Sequence, residues 1–312
     1  MPASPARSRP PRLWWLAVLV FALVLPQAAP AAGGGNISVS DDRGRSVELS
    51  EPAQRIVSLA PHLTELLFAV GAGDRIVATV AHADYPDAAR SIPRVGTAAQ
   101  LDLEGLLAAS PDLVIAWGSG SPGTALERLE KLGITVYYSE PGDFAGIAAD
   151  LRRLGRLAGQ PERGVREARA FLDAVATLRE EFGERPEVSV FYQVWDQPLM
   201  TVNDGHLIGE AIRLCRGQNV FGHLDSLVPR PGLETVIAAD PEAIVSGGPG
   251  EDREDWLEAW RDWNQLTAVQ RDNLFFIPPS LLQRHTPRLA DGTRMLCEAL
   301  ELARERRAGP RR

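Results

Sequence analysis

The sequence predicts an α/β protein of two lobes with parallel sheets, joined by a single rigid helix. Three observations carry this. From Arg55 onward, short apolar strands alternate with amphipathic helical stretches, the pattern of a parallel sheet covered on both faces. One helix–turn–strand–Gly-rich-loop unit occurs twice, as "LDLEGLLAASPDLVIAWGSG" (101–120) and "PGLETVIAADPEAIVSGGPG" (231–250), which points to a duplicated, Rossmann-like architecture. Between the halves, 143–183 has helical periodicity with Arg and Glu on its polar face, where a flexible linker would be rich in Gly and Ser.

In chain order, Arg7, Arg9 and Arg12 precede an apolar run from Leu13 to Leu25 and a small-residue segment, so 1–32 reads as a signal peptide cleaved near Ala32. No Cys follows the run, so no lipid anchor is expected. Loss of the three arginines moves the formal charge from −8 to about −11. Such a surface repels nucleic acid. Residues 33–53 follow as a β-hairpin around Asp42 and Gly44, an N-terminal extension.

The N-terminal lobe is placed at 54–158, with strands in "RIVSL", "RIVATV", "DLVIAW" and "TVYYS" separated by helical segments. The interdomain helix is placed at 159–184, its core from about Pro161 to Phe182, which makes it roughly 33 Å long. The C-terminal lobe, 185–312, repeats the scheme with "VSVFYQV", "HLIGEAIRLC", "LETVIAAD", "EAIVSGG", "WLEAWRDWNQL", "NLFFIPP" and a closing helix from Pro287 to about Arg304. The two cysteines, Cys215 and Cys297, form a lone pair in an exported chain and are most simply a disulfide, with two free thiols as the alternative.

Ligands bind beyond the carboxyl ends of strands in open parallel sheets, so the residues after each strand matter most. Tyr85, Trp117 and Trp195 stand at such ends, where a large aromatic suits the wall of a cleft for a flat, mostly apolar ligand; the competing role is packing between lobes. Asp196, Gln197 and Arg284 could read polar edges of that ligand. His62, in "PHLTEL", could be a ligand, but it reads better as a first-turn helix residue, with Thr64 and Glu65 satisfying first-turn amides. His82 and Asp84 could be metal ligands, yet the sequence supplies no third ligand, and Asp84 reads better as a turn former. The nucleophile-elbow, phosphate-loop, dinucleotide and zinc-protease motifs are absent, so no enzyme class is indicated; "GSGSPG" lacks the Lys of a phosphate loop.

The segments "RIVSLAPHLTELLFAVGAGDRIVATVAHADYPDAARSIPRVG", "LDLEGLLAASPDLVIAW", "LETVIAADPEAIV", "IRLCRGQNVF" and "RMLCEAL" resemble the periplasmic substrate-binding proteins whose lobes are joined by one rigid helix, and within them the cobalamin branch. The resemblance runs from about Gln54 to Leu302. It implies a monomeric, non-enzymatic periplasmic receptor without a resident cofactor, delivering cobalamin or another corrinoid to an ABC permease dimer in the inner membrane. By position it assigns Tyr85, Trp117 and Arg284 to the corrinoid cleft, Glu104 and Glu234 to permease docking, one per lobe, and Cys215 and Cys297 to the family's disulfide. Two cleft tryptophans of the family are missing, at Ala98 and Ala99 and near Val228 to Arg230, and Trp195 is expected to replace part of that surface. The rival readings are a haem or ferric-siderophore receptor of the same fold and a metal-dependent hydrolase using His82 and Asp84.

Overall fold

A computed structural model of the chain describes residues 36–307 apart from 249 and 253, together with Met1 and Ala3. The expected signal peptide lies outside the described residues. Among those described, no helix is long and apolar enough to cross a membrane.

The chain opens with β1 (Ile37–Ser40) and β2 (Ser46–Leu49), an antiparallel hairpin. The N-terminal lobe follows with β3 (Ile56–Ser58), α1 (Pro61–Ala69), β4 (Ile76–Ala78), α2 (Leu103–Ala108), β5 (Leu113–Trp117), α3 (Gly123–Lys131), β6 (Thr135–Ser139) and α4 (Phe144–Leu157). The connecting helix is α5 (Pro161–Phe182). The C-terminal lobe holds β7 (Val188–Gln193), α6 (Leu207–Leu214), β8 (Gly217–Asn219), α7 (Leu233–Ala239), β9 (Ala243–Ser246), α8 (Asp255–Glu258), α9 (Thr267–Gln270), β10 (Leu274–Phe276), α10 (Pro279–Leu282) and α11 (Leu289–Arg307).

Both lobes carry a four-stranded parallel sheet, ordered β4-β3-β5-β6 and β10-β9-β7-β8. Numbered within its lobe, each sheet has its first strand between its second and its third, with the fourth outside the third. The recurring unit therefore supplies the third strand of each lobe, β5 and β9. Its turn repeats in detail: Ser110 and Asp240, each followed by Pro, both take the left-handed backbone (φ 47° and 41°). Next in the repeat come Asp112, which accepts the backbone N–H of Arg55 before β3 (3.0 Å), and Glu242, which accepts that of Ser189 in β7 (3.4 Å).

Helix α5 buries Gly164, Ala168, Phe171, Val175, Leu178 and Phe182. Their alternating spacing of four and three makes one continuous stripe on a helix. That stripe packs on α4 from the first lobe and on α6 and α11 from the second. The α4 crossing is close because two glycines meet: a Cβ on Gly164 would lie 2.5 Å from the Leu151 carbonyl and 3.1 Å from the Gly155 Cα. One buried apolar cluster consequently runs from Leu63 and Leu67 of α1 through α5 to Leu296 and Leu300 of α11. The Cys215–Cys297 disulfide fastens the end of α6 to α11.

Several expectations need correction. The N-terminal hairpin is more than an extension. Asp42 donates its backbone N–H to Tyr138 of the edge strand β6 (3.0 Å) and its carboxylate pairs with Arg153, while Arg43 and Arg45 lie over the Tyr138 ring at 3.6 and 4.4 Å. It covers an edge that would otherwise expose unpaired backbone. At the start of α1 the cap residue is Ala60, with no side-chain cap. Thr64 instead turns toward the sheet, bonding Ser58 (2.9 Å) and Thr79 (2.7 Å), and Glu65 pairs with Arg288. Strand β8 has no apolar alternation and is held by backbone pairing to Val188–Val190. The segment "WLEAWRDWNQL" is two short turns rather than one helix, because Trp260 is drawn into the core, where its indole N–H meets Gln193 (2.7 Å). The last helix starts at Leu289 and ends at Arg307, two and three residues beyond expectation.

Candidate functional site

The carboxyl ends of the two sheets face one cleft. Trp117 at the end of β5 and residues following β3 (Pro61, His62), β4 (His82, Asp84), β7 (Val194, Trp195), β9 (Gly248) and β10 (Pro279, Arg284, His285) line a cavity of about 470 Å³. A second cavity of about 440 Å³ continues from it, sharing Trp117, Val194, Gln283 and His285 and adding Glu140 after β6, His206, Leu227 and Val228.

Trp117 borders both cavities. Glu140 holds it by accepting the indole N–H (3.2 Å), and binds the backbone and hydroxyl of Ser119 at 2.5 and 3.0 Å. The Gly-rich "GSG" segment serves this placement, since a Cβ on Gly120 would collide with the indole ring. Trp195 is half exposed, at 51%, and forms a T-shaped pair with Trp256 at 5.4 Å. Together they make the outer aromatic wall. Arg284 lines the first cavity and Asp84 neutralises it at 2.7 Å. Burial pushes the Asp84 carboxyl up, but the Arg284 hydrogen bond and charge outweigh it and hold the group below its ordinary value. Among the described residues no group of three or more His, Cys, Asp or Glu is arranged to hold a metal ion.

Tyr85 stands one step away. It lines a smaller, adjacent pocket of about 150 Å³ with Arg288 stacked over its ring at 3.7 Å. Asp196 is outside the lining of these cavities and accepts from the Gln193 side chain (3.3 Å), and the Gln197 carbonyl accepts the Trp195 indole N–H (3.1 Å). Glu104 and Glu234 are exposed in the first turns of α2 and α7, in matching positions of the repeated unit.

Sequence reasoning missed the most distinctive feature of the cleft. His62, His206 and His285 converge on it, with ring centroids 5.5 Å apart for His62 and His285 and 6.2 Å for His206 and His285, and Trp117 packs edge-on against His62 at 5.3 Å. Burial, reinforced by His285 and Arg284, pushes His62 well below its ordinary value. Burial and the His285 ring push His206 to about 4. Burial lowers His285, with Glu140 opposing. The cleft is therefore floored by neutral imidazoles. A signal existed: His285 adjoins Arg284, a residue expected to read the ligand's polar edges, and His62 lies just past a strand end.

A family model described as periplasmic binding protein matches residues 56–281. The chain is 33% identical over 256 residues to a vitamin B12-binding protein of Vibrio campbellii, covering 82% of this chain and 92% of that one. It is 32% identical over 253 residues to a vitamin B12-binding protein of Yersinia pestis, covering 80% and 88%. The crystal structure of a periplasmic vitamin B12 binding protein of Vibrio cholerae matches with TM-score 0.75 at 33% identity, covering 81% of this chain and 99% of that one. A periplasmic heme-binding protein of Roseiflexus, at TM-score 0.72, 22% identity and coverage of 80% and 99%, shares the fold.

Proposed function

We propose that this chain, which belongs to the periplasmic binding protein family, captures cobalamin or a related corrinoid in its inter-lobe cleft and hands it to the permease of an ABC importer. The observation that carries the reading is the cleft itself: Trp117, Trp195 and Trp256 offer large faces, and its cations are already spent on carboxylates. A flat macrocycle with amide edges and little net charge suits such walls, because aromatic faces bury area at small entropic cost and polar edge groups need only a few fixed partners. A carboxylate- or catecholate-rich iron complex would want free cations, whereas Arg284 is held by Asp84 and Arg288 by Glu65. The same reading takes 1–32 as the export signal and the periplasm as the working compartment, and it assigns Glu104 and Glu234 to the permease contact.

The deciding experiment is a competition on the purified mature protein. Cyanocobalamin should co-elute with it from a sizing column as a red species that excess ferric haem or a ferric siderophore does not displace. Retention of haem with no retention of cyanocobalamin would overturn the proposal.

A further inference from the structure

Three imidazoles from three separate elements gather in the cleft, with His285 in ring contact with each of the other two, and their hydrogen bonding differs. His206 caps α6: its Nδ1 accepts the backbone N–H of Ile208 at 3.0 Å. In the neutral ring the proton must then sit on Nε2, so His206 offers the cleft a donor and no lone pair. His62 and His285 are unlike it. Nε2 of His62, a residue 6% exposed, and Nδ1 of His285 are both buried without a hydrogen-bond partner among the described residues. Leaving a buried polar atom unpaired is unfavourable, and neither ring is fixed through that nitrogen by a partner within the described residues.

The spacing says what kind of metal could use them. The rings do not form a chelating set for a bare ion. A metal that arrives inside its own macrocycle already has its equatorial ligands and needs a single nitrogen on its axis. His285 is placed for that role: it borders both cavities, packs 6.5 Å from the Trp117 ring, and follows Arg284, which Asp84 anchors. Burial lowers its pKa, which favours the neutral ring that has a lone pair to give.

We propose that His285 donates an axial nitrogen to the cobalt of the bound corrinoid, so that the cleft favours corrinoids whose axial position is open over those whose own base fills it. This rests on the corrinoid reading above. In the step, the imidazole lone pair forms a Co–N bond, the Co–OH₂ bond breaks, and water leaves to solvent. The second ring nitrogen keeps its proton and cobalt(III) keeps its oxidation state.

The test titrates the mature protein with diaquacobinamide, whose axial waters exchange, and with cyanocobalamin, whose axial positions are filled by cyanide and its own base. Diaquacobinamide should take on the visible spectrum of its adduct with free imidazole, and bound cyanocobalamin should keep its own. In His285→Ala and His285→Gln the shift should vanish and the preference for diaquacobinamide over cyanocobalamin should fall roughly tenfold or more. Free imidazole added to the Ala variant should restore the shift. An unshifted spectrum on bound diaquacobinamide would overturn the inference while leaving the transport reading intact. A shift that survives in both His285 variants and disappears in His62→Ala would overturn the assignment to His285. Binding of neither corrinoid would overturn the corrinoid reading and the inference with it.

Discussion

Arg288 and Glu65, 223 residues apart in the chain, form a two-pronged ion pair between the lobes, Nε to Oε1 and Nη2 to Oε2 both at 2.7 Å. Glu65 is buried in α1 and Arg288 immediately precedes α11, so the pair fastens one side of the cleft independently of α5. Removing one partner strands a buried charge. Glu65→Gln should therefore lower the unfolding free energy by about 3 kcal/mol in denaturant titrations at neutral pH. A change below about 1 kcal/mol, the range of a surface pair, would show that solvent reaches the guanidinium.

The disulfide closes a separation of 82 residues. The double change Cys215→Ser with Cys297→Ser should lower stability by about 4 kcal/mol in the chain-entropy account. The same loss should follow reduction of the unmodified protein. Equal denaturation midpoints with and without reductant would contradict this.

For ligand affinity, Trp117→Ala and Trp195→Ala should each weaken cyanocobalamin binding by about 1–3 kcal/mol, the usual effect of truncating an aromatic anchor. Trp117 should matter more, because it borders both cavities and Glu140 holds it in place. Tyr85→Ala should cost less than either, since that ring sits under Arg288 in the adjacent pocket. Calorimetry that ranks Tyr85 first would move the ligand toward that pocket.

The imidazoles make stability depend on pH. His206 titrates at about 4 when folded against an ordinary 6.5. Between those values the unfolded chain binds a proton that the folded chain refuses, so stability falls as pH drops from about 6.5 toward 4. The contribution of His206 is on the order of 3 kcal/mol. His206→Asn, which keeps a capping side chain, should flatten the slope of unfolding free energy against pH in that window. An unchanged slope would mean that the ring is hydrated in the folded protein.

Docking should be electrostatic. Glu104 and Glu234 are exposed first-turn residues of the repeated unit, one in each lobe. Helix polarity favours a Glu at either position on its own by up to about 1 kcal/mol, so stability should barely change on reversal. Glu104→Arg with Glu234→Arg should leave corrinoid affinity intact, and should weaken association with permease-containing liposomes in a salt-dependent manner. Full transport by the double variant would exclude the assignment.

How much of this was legible depended on distance along the chain. Helix α5 was readable to the residue: Pro161 fits a first helical position, and the buried stripe from Gly164 to Phe182 repeats at helical spacing. The strands were readable because each is a short apolar run between turn residues, and the repeated units showed that one topology had been used twice. Strand β8 was not, since Gly217, Gln218 and Asn219 carry no pattern and are strand only by pairing with β7.

The sequence by itself determined the two lobes, their parallel sheets, the rigid connector and the aromatic strand ends, because these follow from periodicity and turn chemistry within windows of ten or twenty residues. Only the tertiary structure decided which side chains meet. The Glu65–Arg288 pair and the triad of His62, His206 and His285 join residues from opposite lobes, and no local pattern encodes such a meeting. Burial in that shared cleft is what disfavours the charged form of the three imidazoles, and the fold is what sets Asp84 against Arg284. Charge state and partnership are properties of the packed cleft, created when the lobes come together around α5.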